Sequence, residues 1–156
     1  MKPNRKLLIL CIAIPLAVGG LSALLTKDSM IAFEYISKPA LSPPAALFPI
    51  VWTVLYVLMG IASYIVISSD APGEQVSSAV FFYGLQLIFN FFWSLIFFNL
   101  EAYLTALVWL LALWVLIIIT KVKFFRIDRR GGWLMLPYLL WVTFAAILNY
   151  GIYVLN

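Results

Sequence analysis

Apolar residues run almost unbroken through this chain, and polar ones gather in the short gaps between the runs. Five runs, at about 7–26, 47–68, 78–98, 102–120 and 133–154, approach or reach the length a helix needs to cross a bilayer. In hydrocarbon every backbone N–H and C=O must be satisfied within its own segment, so such runs read as helices. The pattern predicts one domain over residues 1–156, an all-α integral membrane protein built as a five-transmembrane-helix bundle. Its longest connection is 27–46. The turn at 99–102 is so tight that the third and fourth helices must be antiparallel neighbours, and 121–132 reads as a basic loop.

The stretch 38–60, KPALSPPAALFPIVWTVLYVLMG, joins the long connection to the second helix. Pro39, Pro43 and Pro44 fix φ and push their predecessors toward extended backbone, so the segment is stiff without being helical. Pro49 falls in the first turns of the helix, where its missing N–H costs least. Beyond it, Trp52, Tyr56, Gly60 and Tyr64 recur every four residues and share one face. A proline cover leading into an aromatic stripe can roof and wall a pocket for a flat, apolar ligand. The third helix puts Gln86, Asn90 and Trp93 on one face, and the fifth does the same with Tyr138, Trp141, Ala145 and Asn149. In the first helix, Gly19, Gly20 and Ser22 let a neighbour approach closely. Trp109, Trp114 and Trp133 read as interface aromatics.

Composition excludes the soluble alternative: 65% of residues are hydrophobic, 10% are charged and the mean hydropathy is +1.09. The net charge of +4 does not point to nucleic acid, because the basic residues lie at the ends of apolar runs. With five spans, Lys2, Arg5, Lys6, Lys121, Lys123, Arg126, Arg129 and Arg130 fall on one side, and only Lys27 and Lys38 on the other. The positive-inside rule then puts the N-terminus and the 69–77 and 121–132 loops in the cytoplasm, and the 27–46 loop and C-terminus outside. Short loops favour a bacterial plasma membrane. The first apolar run continues past Thr26 without a cleavage site, so it reads as a helix rather than a removable signal. Cys11 is alone, so no intrachain disulfide is possible, and the absence of His removes the commonest metal and haem ligand and the usual general base. No metal site is expected.

Charge is missing from the spans as well. Asp28, Glu34, Asp70, Glu74, Glu101 and Asp128 all fall in loops or at boundaries, which disfavours ion-coupled transporters, small multidrug exporters and retinal proteins. The polar residues left inside are neutral: Gln86, Asn90, Ser94, Thr143 and Asn149. Such amides either tie helices together, at about 1 kcal/mol or less per contact, or meet a ligand, and Asn90 beside Trp93 favours the ligand. Trp52 and Trp141 each share a face with another aromatic and a small residue, which is how a slot for a planar ligand is built. The 121–132 segment sets topology, with anionic lipid or ligand carboxylates as the other reading.

Three stretches together resemble a known family, the tryptophan-rich sensory proteins, which include the mitochondrial translocator protein or peripheral benzodiazepine receptor. They are the KP…PP segment with VWTVLYVLMG, then Gln86, Asn90 and Trp93 followed by IFF, then PYLLWVTFAAILNY at 137–150. The resemblance covers nearly the whole chain. It implies a five-helix bundle, a homodimer, and a pocket opening toward the long connection. It also implies planar ligands such as protoporphyrin IX, sterols and benzodiazepine-type compounds. Carried to matching positions, the pocket would use Trp52, Tyr56, Asn90, Trp93, Trp141 and Ala145, with Pro43 and Pro44 in the lid. Leu41 and Ala46 stand where relatives usually have aromatics, and no basic residue follows Tyr150 as the animal sterol motif requires.

The resemblance implies a membrane protein that binds porphyrins for tetrapyrrole sensing or clearance and needs no cofactor. With no axial ligand in view, a metal-free porphyrin suits the pocket better than haem. Light-dependent degradation of protoporphyrin IX is an enzymatic version, with Trp52 and Trp141 as redox partners. The alternative is a transporter or regulatory scaffold for tetrapyrroles, sterols or lipids.

Overall fold

The computed structural model describes residues 3–156, so Lys2, counted above among the N-terminal charges, lies outside the described residues. Among these, the chain is helical without strands: α1 (Arg5–Phe33), α2 (Leu47–Ile67), α3 (Gly73–Ser94), α4 (Tyr103–Ile127), α5 (Arg129–Leu134) and α6 (Leu136–Leu155). Helix α3 runs on through a π-helical turn, Leu95–Asn99. Helices α5 and α6 follow one another as a single span, Arg129–Leu155, giving five helices long and apolar enough to cross a membrane.

Two connections are shorter than the hydropathy pattern predicts. Helix α1 passes through Lys27 and Asp28 and ends at Phe33, so the long connection covers 34–46 rather than 27–46. Hydropathy marks where an apolar run stops, whereas a helix runs on through charged residues that tolerate helical backbone, and α1, which carries Pro15 in its interior, ends in the turns that precede Pro39. The expected basic loop at 121–132 is helical for the same reason. Helix α4 carries Lys121, Lys123 and Arg126, good helix formers, and gives way only at Asp128, which is extended with φ −154° and ψ 123°. The Asp128 Oδ1 then accepts from the Arg130 N–H at 2.9 Å and caps α5. Both lysines lay their charge over rings: Lys121 over Phe125 and Trp133 at 5.6 and 5.3 Å, Lys123 over Phe82 at 5.2 Å.

Packing follows the small residues. A Cβ on Gly60 would stand 2.7 Å from the Cys11 carbonyl oxygen and 2.7 Å from Ile12 Cα, so α1 and α2 meet backbone to backbone there. Gly19 leaves room for the Tyr56 ring, while Gly20 faces open space and contributes nothing to that crossing. Helices α3 and α4 pair across the tight turn, with Ala106, Leu110, Leu113, Ile117 and Phe124 of α4 buried in the core. Two tryptophans expected at the membrane interface prove to be straps. Trp109 stacks on Phe89 at 4.3 Å and donates to its carbonyl at 2.8 Å, and Trp114 donates to Thr143 Oγ1 of α6 at 2.8 Å. Thr143 is therefore exposed rather than interior. Trp133 stays exposed beneath Lys121.

The bundle has two unlike ends. At one, the Asn4 N–H donates to the Tyr64 hydroxyl at 3.0 Å, and Gly131 packs against Val66. Most of the basic residues are at this end. At the other, the 34–46 connection meets the C-terminus of α6.

Candidate functional site

An aromatic wall forms where α2 faces α6. Trp52 stacks on Tyr56, one turn along α2, with ring centroids 5.5 Å apart, and meets Tyr138 of α6 edge-on at 6.2 Å. One turn earlier on α2, Phe48 meets Trp141 edge-on at 5.8 Å, and Trp141 contacts Phe144 at 5.6 Å. The four-residue spacing predicted for Trp52 and Tyr56 thus extends back to Phe48. Phe48 and Phe144 complete the wall and went unrecognised in the sequence, although each lies one turn from a tryptophan already singled out. Trp52, Trp141 and Ala145 are half-buried, leaving ring surface accessible at the wall. Two residues expected on this face serve elsewhere: Gly60 is the α1 crossing, and Tyr64 ties the opposite end through Asn4.

Behind the rings lies a chain of buried hydrogen bonds. The Tyr56 hydroxyl donates to Asn90 Oδ1 at 2.9 Å, and Asn90 Nδ2 donates to the Tyr138 hydroxyl at 2.7 Å. Tyr138 in turn donates to Gln86 Oε1 at 2.7 Å. Three helices, α2, α3 and α6, are joined by neutral groups alone, as a low-dielectric interior demands. Asn90 has both ends of its amide engaged. It holds Tyr56 and Tyr138 in place, and those two rings back Trp52. Gln86 Nε2 and the Tyr83 hydroxyl, one turn apart on α3, are buried without partners.

Trp93 belongs to a separate tie. Its indole N–H donates to Asn149 Oδ1 at 3.2 Å, Asn149 Nδ2 donates to the Tyr103 carbonyl at 2.9 Å, and the indole stacks on Phe97 at 5.1 Å. The structure therefore gathers Trp52, Tyr56 and Asn90 around Tyr138, brings Trp141 alongside through Phe48, and sets Trp93 with Asn149 at the α3–α4–α6 junction. Here Asn149 is the helix tie that one of the two sequence readings expected.

The lid segment is fastened to α6. The Ser37 N–H donates to Asn156 Oδ1 at 3.2 Å, and Asn156 Nδ2 donates back to the Ser37 carbonyl at 2.8 Å. Pro39 rests on Gly151, where any side chain would collide with its ring. Lys38 donates to the Glu34 carbonyl at 3.0 Å and lies over Phe33 at 4.9 Å. Pro43 is half-buried, whereas Pro44 is exposed and Leu41 is 67% exposed. Neither Asn156 nor Gly151 stood out in the sequence, since nothing local marks a partner 119 positions away.

Chemically, the site offers aromatic faces and a satisfied amide network, with no carboxylate or ammonium among the residues that form the wall. Such a surface holds a ligand by stacking and apolar burial. A sequence model of the TspO/MBR family matches residues 11–155. The chain is 37% identical over 150 residues to the tryptophan-rich protein TspO of Chlorobaculum tepidum, covering 96% of this chain and 95% of that one. It is 37% identical over 128 residues to the tryptophan-rich sensory protein of Cereibacter sphaeroides, covering 82% and 77%. The human translocator protein is 35% identical over 118 residues, covering 74% and 69%.

Proposed function

The chain belongs to the TspO/MBR family, and from that premise we propose that it binds a metal-free porphyrin such as protoporphyrin IX against the α2–α6 wall, in tetrapyrrole sensing or clearance. The observation that carries the reading is the pairing of Phe48, Trp52 and Tyr56 with Tyr138, Trp141 and Phe144 across two helices. A macrocycle needs broad, flat apolar contact, and rings held by a buried network supply it without reorganising. The 34–46 segment is fastened to the end of α6 through Asn156 and Gly151, and in this reading it closes over the bound macrocycle. In this reading the basic end faces the cytoplasm of a bacterial plasma membrane and the lid faces outward.

Titration of the purified, detergent-solubilised protein with protoporphyrin IX in the dark tests it by absorbance. A red-shifted, saturable spectrum is expected, and its absence would remove the proposal. A light-driven version is favoured by the stacking of Trp52 on Tyr56. An excited porphyrin can draw an electron from an indole, and the ring stacked beside it stabilises the indole radical cation without giving up a proton. The porphyrin radical anion passes its electron to dioxygen, the terminal oxidant, so this first step requires no acid or base. Bleaching under illumination that disappears in W52F/W141F would support this version, and bleaching at the wild-type rate in that variant would end it.

A further inference from the structure

The hydrogen-bond network behind the wall leaves two polar groups over in the middle of the bundle. Gln86 Nε2 and the Tyr83 hydroxyl, one turn apart on α3, are buried without a protein partner. Gln86 is 0% exposed and Tyr83 is 7% exposed. Ser63 of α2 and Cys11 of α1 are the polar neighbours of that hydroxyl, and neither is placed to bond it directly. From this arrangement we infer that an ordered internal water is bound among Gln86, Tyr83 and Ser63, joining the α2–α3–α6 network to the crossing of α1 and α2. The site lies behind the rings and does not depend on what the wall binds.

The inventory of hydrogens selects the ligand. From the wall inward every bond runs one way: Tyr56 donates to Asn90, Asn90 to Tyr138, and Tyr138 to Gln86 Oε1. The Gln86 amide is left with N–H to give, and Tyr83 with an O–H. Ser63 has already given its hydrogen to the Gly60 carbonyl at 2.8 Å, so it can only accept. Two donors and one acceptor call for a molecule that accepts twice and donates at least once. Water does this, and a buried water typically makes about three such bonds. A cation is a poor match, because two of the three groups present hydrogens, and no cluster of three or more His, Cys, Asp or Glu occurs among the described residues. An apolar occupant would leave both donors unpaired, which a low-dielectric interior penalises.

Small side chains make room. Cys11, Ala62, Ser63 and Ala79 are all buried, on the three helices that surround the site, with Ala79 one turn before Tyr83. The water then closes a path of hydrogen bonds from Tyr56 on the wall to the Gly60 carbonyl. Gly60 is where α2 meets the backbone of α1.

Radiolytic labelling of the full chain in detergent micelles, without porphyrin, tests the inference. A brief X-ray pulse makes hydroxyl radicals from bound as well as bulk water, so a buried ring beside an ordered water is oxidised. Radicals made in bulk from added peroxide reach exposed surface only. Leu110 and Leu113 of α4, each 1% exposed, serve as dry references. After correction for intrinsic reactivity, Tyr83 should be labelled several-fold above them by the X-ray pulse, and no more than they are by peroxide. Tyr83 at the level of the leucines under X-rays, or labelled equally by both sources, would overturn the inference. Q86M keeps the side-chain volume without the amide N–H and should remove the excess label on Tyr83; an unchanged excess would count against the site. Melting of Y83F gives an independent reading. Losing a bond to the water should lower the midpoint by a few degrees. A midpoint at or above wild type would mean that the hydroxyl has no partner to lose, and would also overturn the inference.

Discussion

Replacing Tyr138 with phenylalanine removes one oxygen atom from the middle of the bundle, and the structure indicates what that atom is worth. Tyr138 is 1% exposed, and its hydroxyl accepts from Asn90 Nδ2 and donates to Gln86 Oε1, both at 2.7 Å. Interhelical hydrogen bonds in membrane proteins average about 0.6 kcal/mol and reach about 1.7. Losing two while stranding two buried polar atoms, beside a Gln86 Nε2 that is already unpartnered, places Y138F near the upper range, about 2 kcal/mol less stable. Reversible unfolding in mixed micelles, titrated with a denaturing detergent, measures this. N90L provides the second arm of a double-mutant cycle, since it removes the same bond to Tyr138 together with the one from Tyr56. The double variant should be less destabilised than the sum of the singles by about 1 kcal/mol. Stability of Y138F within about 0.5 kcal/mol of wild type, or strict additivity with N90L, would refute the claim that this network holds α2, α3 and α6 together.

Four further outcomes are expected. W52F/W141F should keep protoporphyrin IX affinity within a few-fold in a dark titration, because phenylalanine preserves the apolar wall, and should lose any light-dependent bleaching. G60A should lower stability by about 1–3 kcal/mol through overpacking, since its methyl would meet α1 backbone at 2.7 Å, whereas G84A, with open space around it, should be neutral or slightly stabilising in the same unfolding assay. N156A should free the lid from α6 and speed both entry and release of porphyrin in stopped-flow absorbance, with the aromatic wall intact. The hydrogen bond from Arg130 holds the Asp128 carboxyl below its ordinary range. The associated stability is therefore present above the unfolded value and is lost as pH falls through the folded one. The difference between wild type and D128N, in which asparagine keeps the cap, should be small, because solvent around the exposed Arg130 screens the pair. It should hold steady at neutral pH and vanish only below the usual aspartate range, near about pH 4.

The spans were legible because a bilayer imposes a length and a composition on every crossing segment, and the apolar runs matched both. Helix ends were not, because leaving the apolar zone and ending a helix are different events. Lys27, Asp28, Lys121 and Arg126 leave the hydrocarbon while continuing the helix. Spacing on their own helices put Trp52 and Tyr56 on one face and Gln86 and Asn90 on another, but that the Asn90 amide is spent between Tyr56 and Tyr138 rather than left open to a ligand could not be read there. That Tyr138 would accept from Asn90 and donate to Gln86 depends on how α3 and α6 pack, which no local spacing encodes. The same holds for Gly60. Its regular place in an aromatic stripe suggested a ligand slot, while the approach of α1, visible only in three dimensions, accounts for the missing side chain.

The most direct test of the central claim maps photo-oxidation. Protein loaded with protoporphyrin IX is illuminated briefly in air, digested, and its six tryptophans are ranked by oxidation in mass spectra. A macrocycle against the α2–α6 wall predicts that Trp52 and Trp141 are modified first, with Trp109 and Trp133 left near the level of a porphyrin-free control. Oxidation spread evenly over all the tryptophans, or led by the exposed Trp133, would place the porphyrin elsewhere and contradict the account.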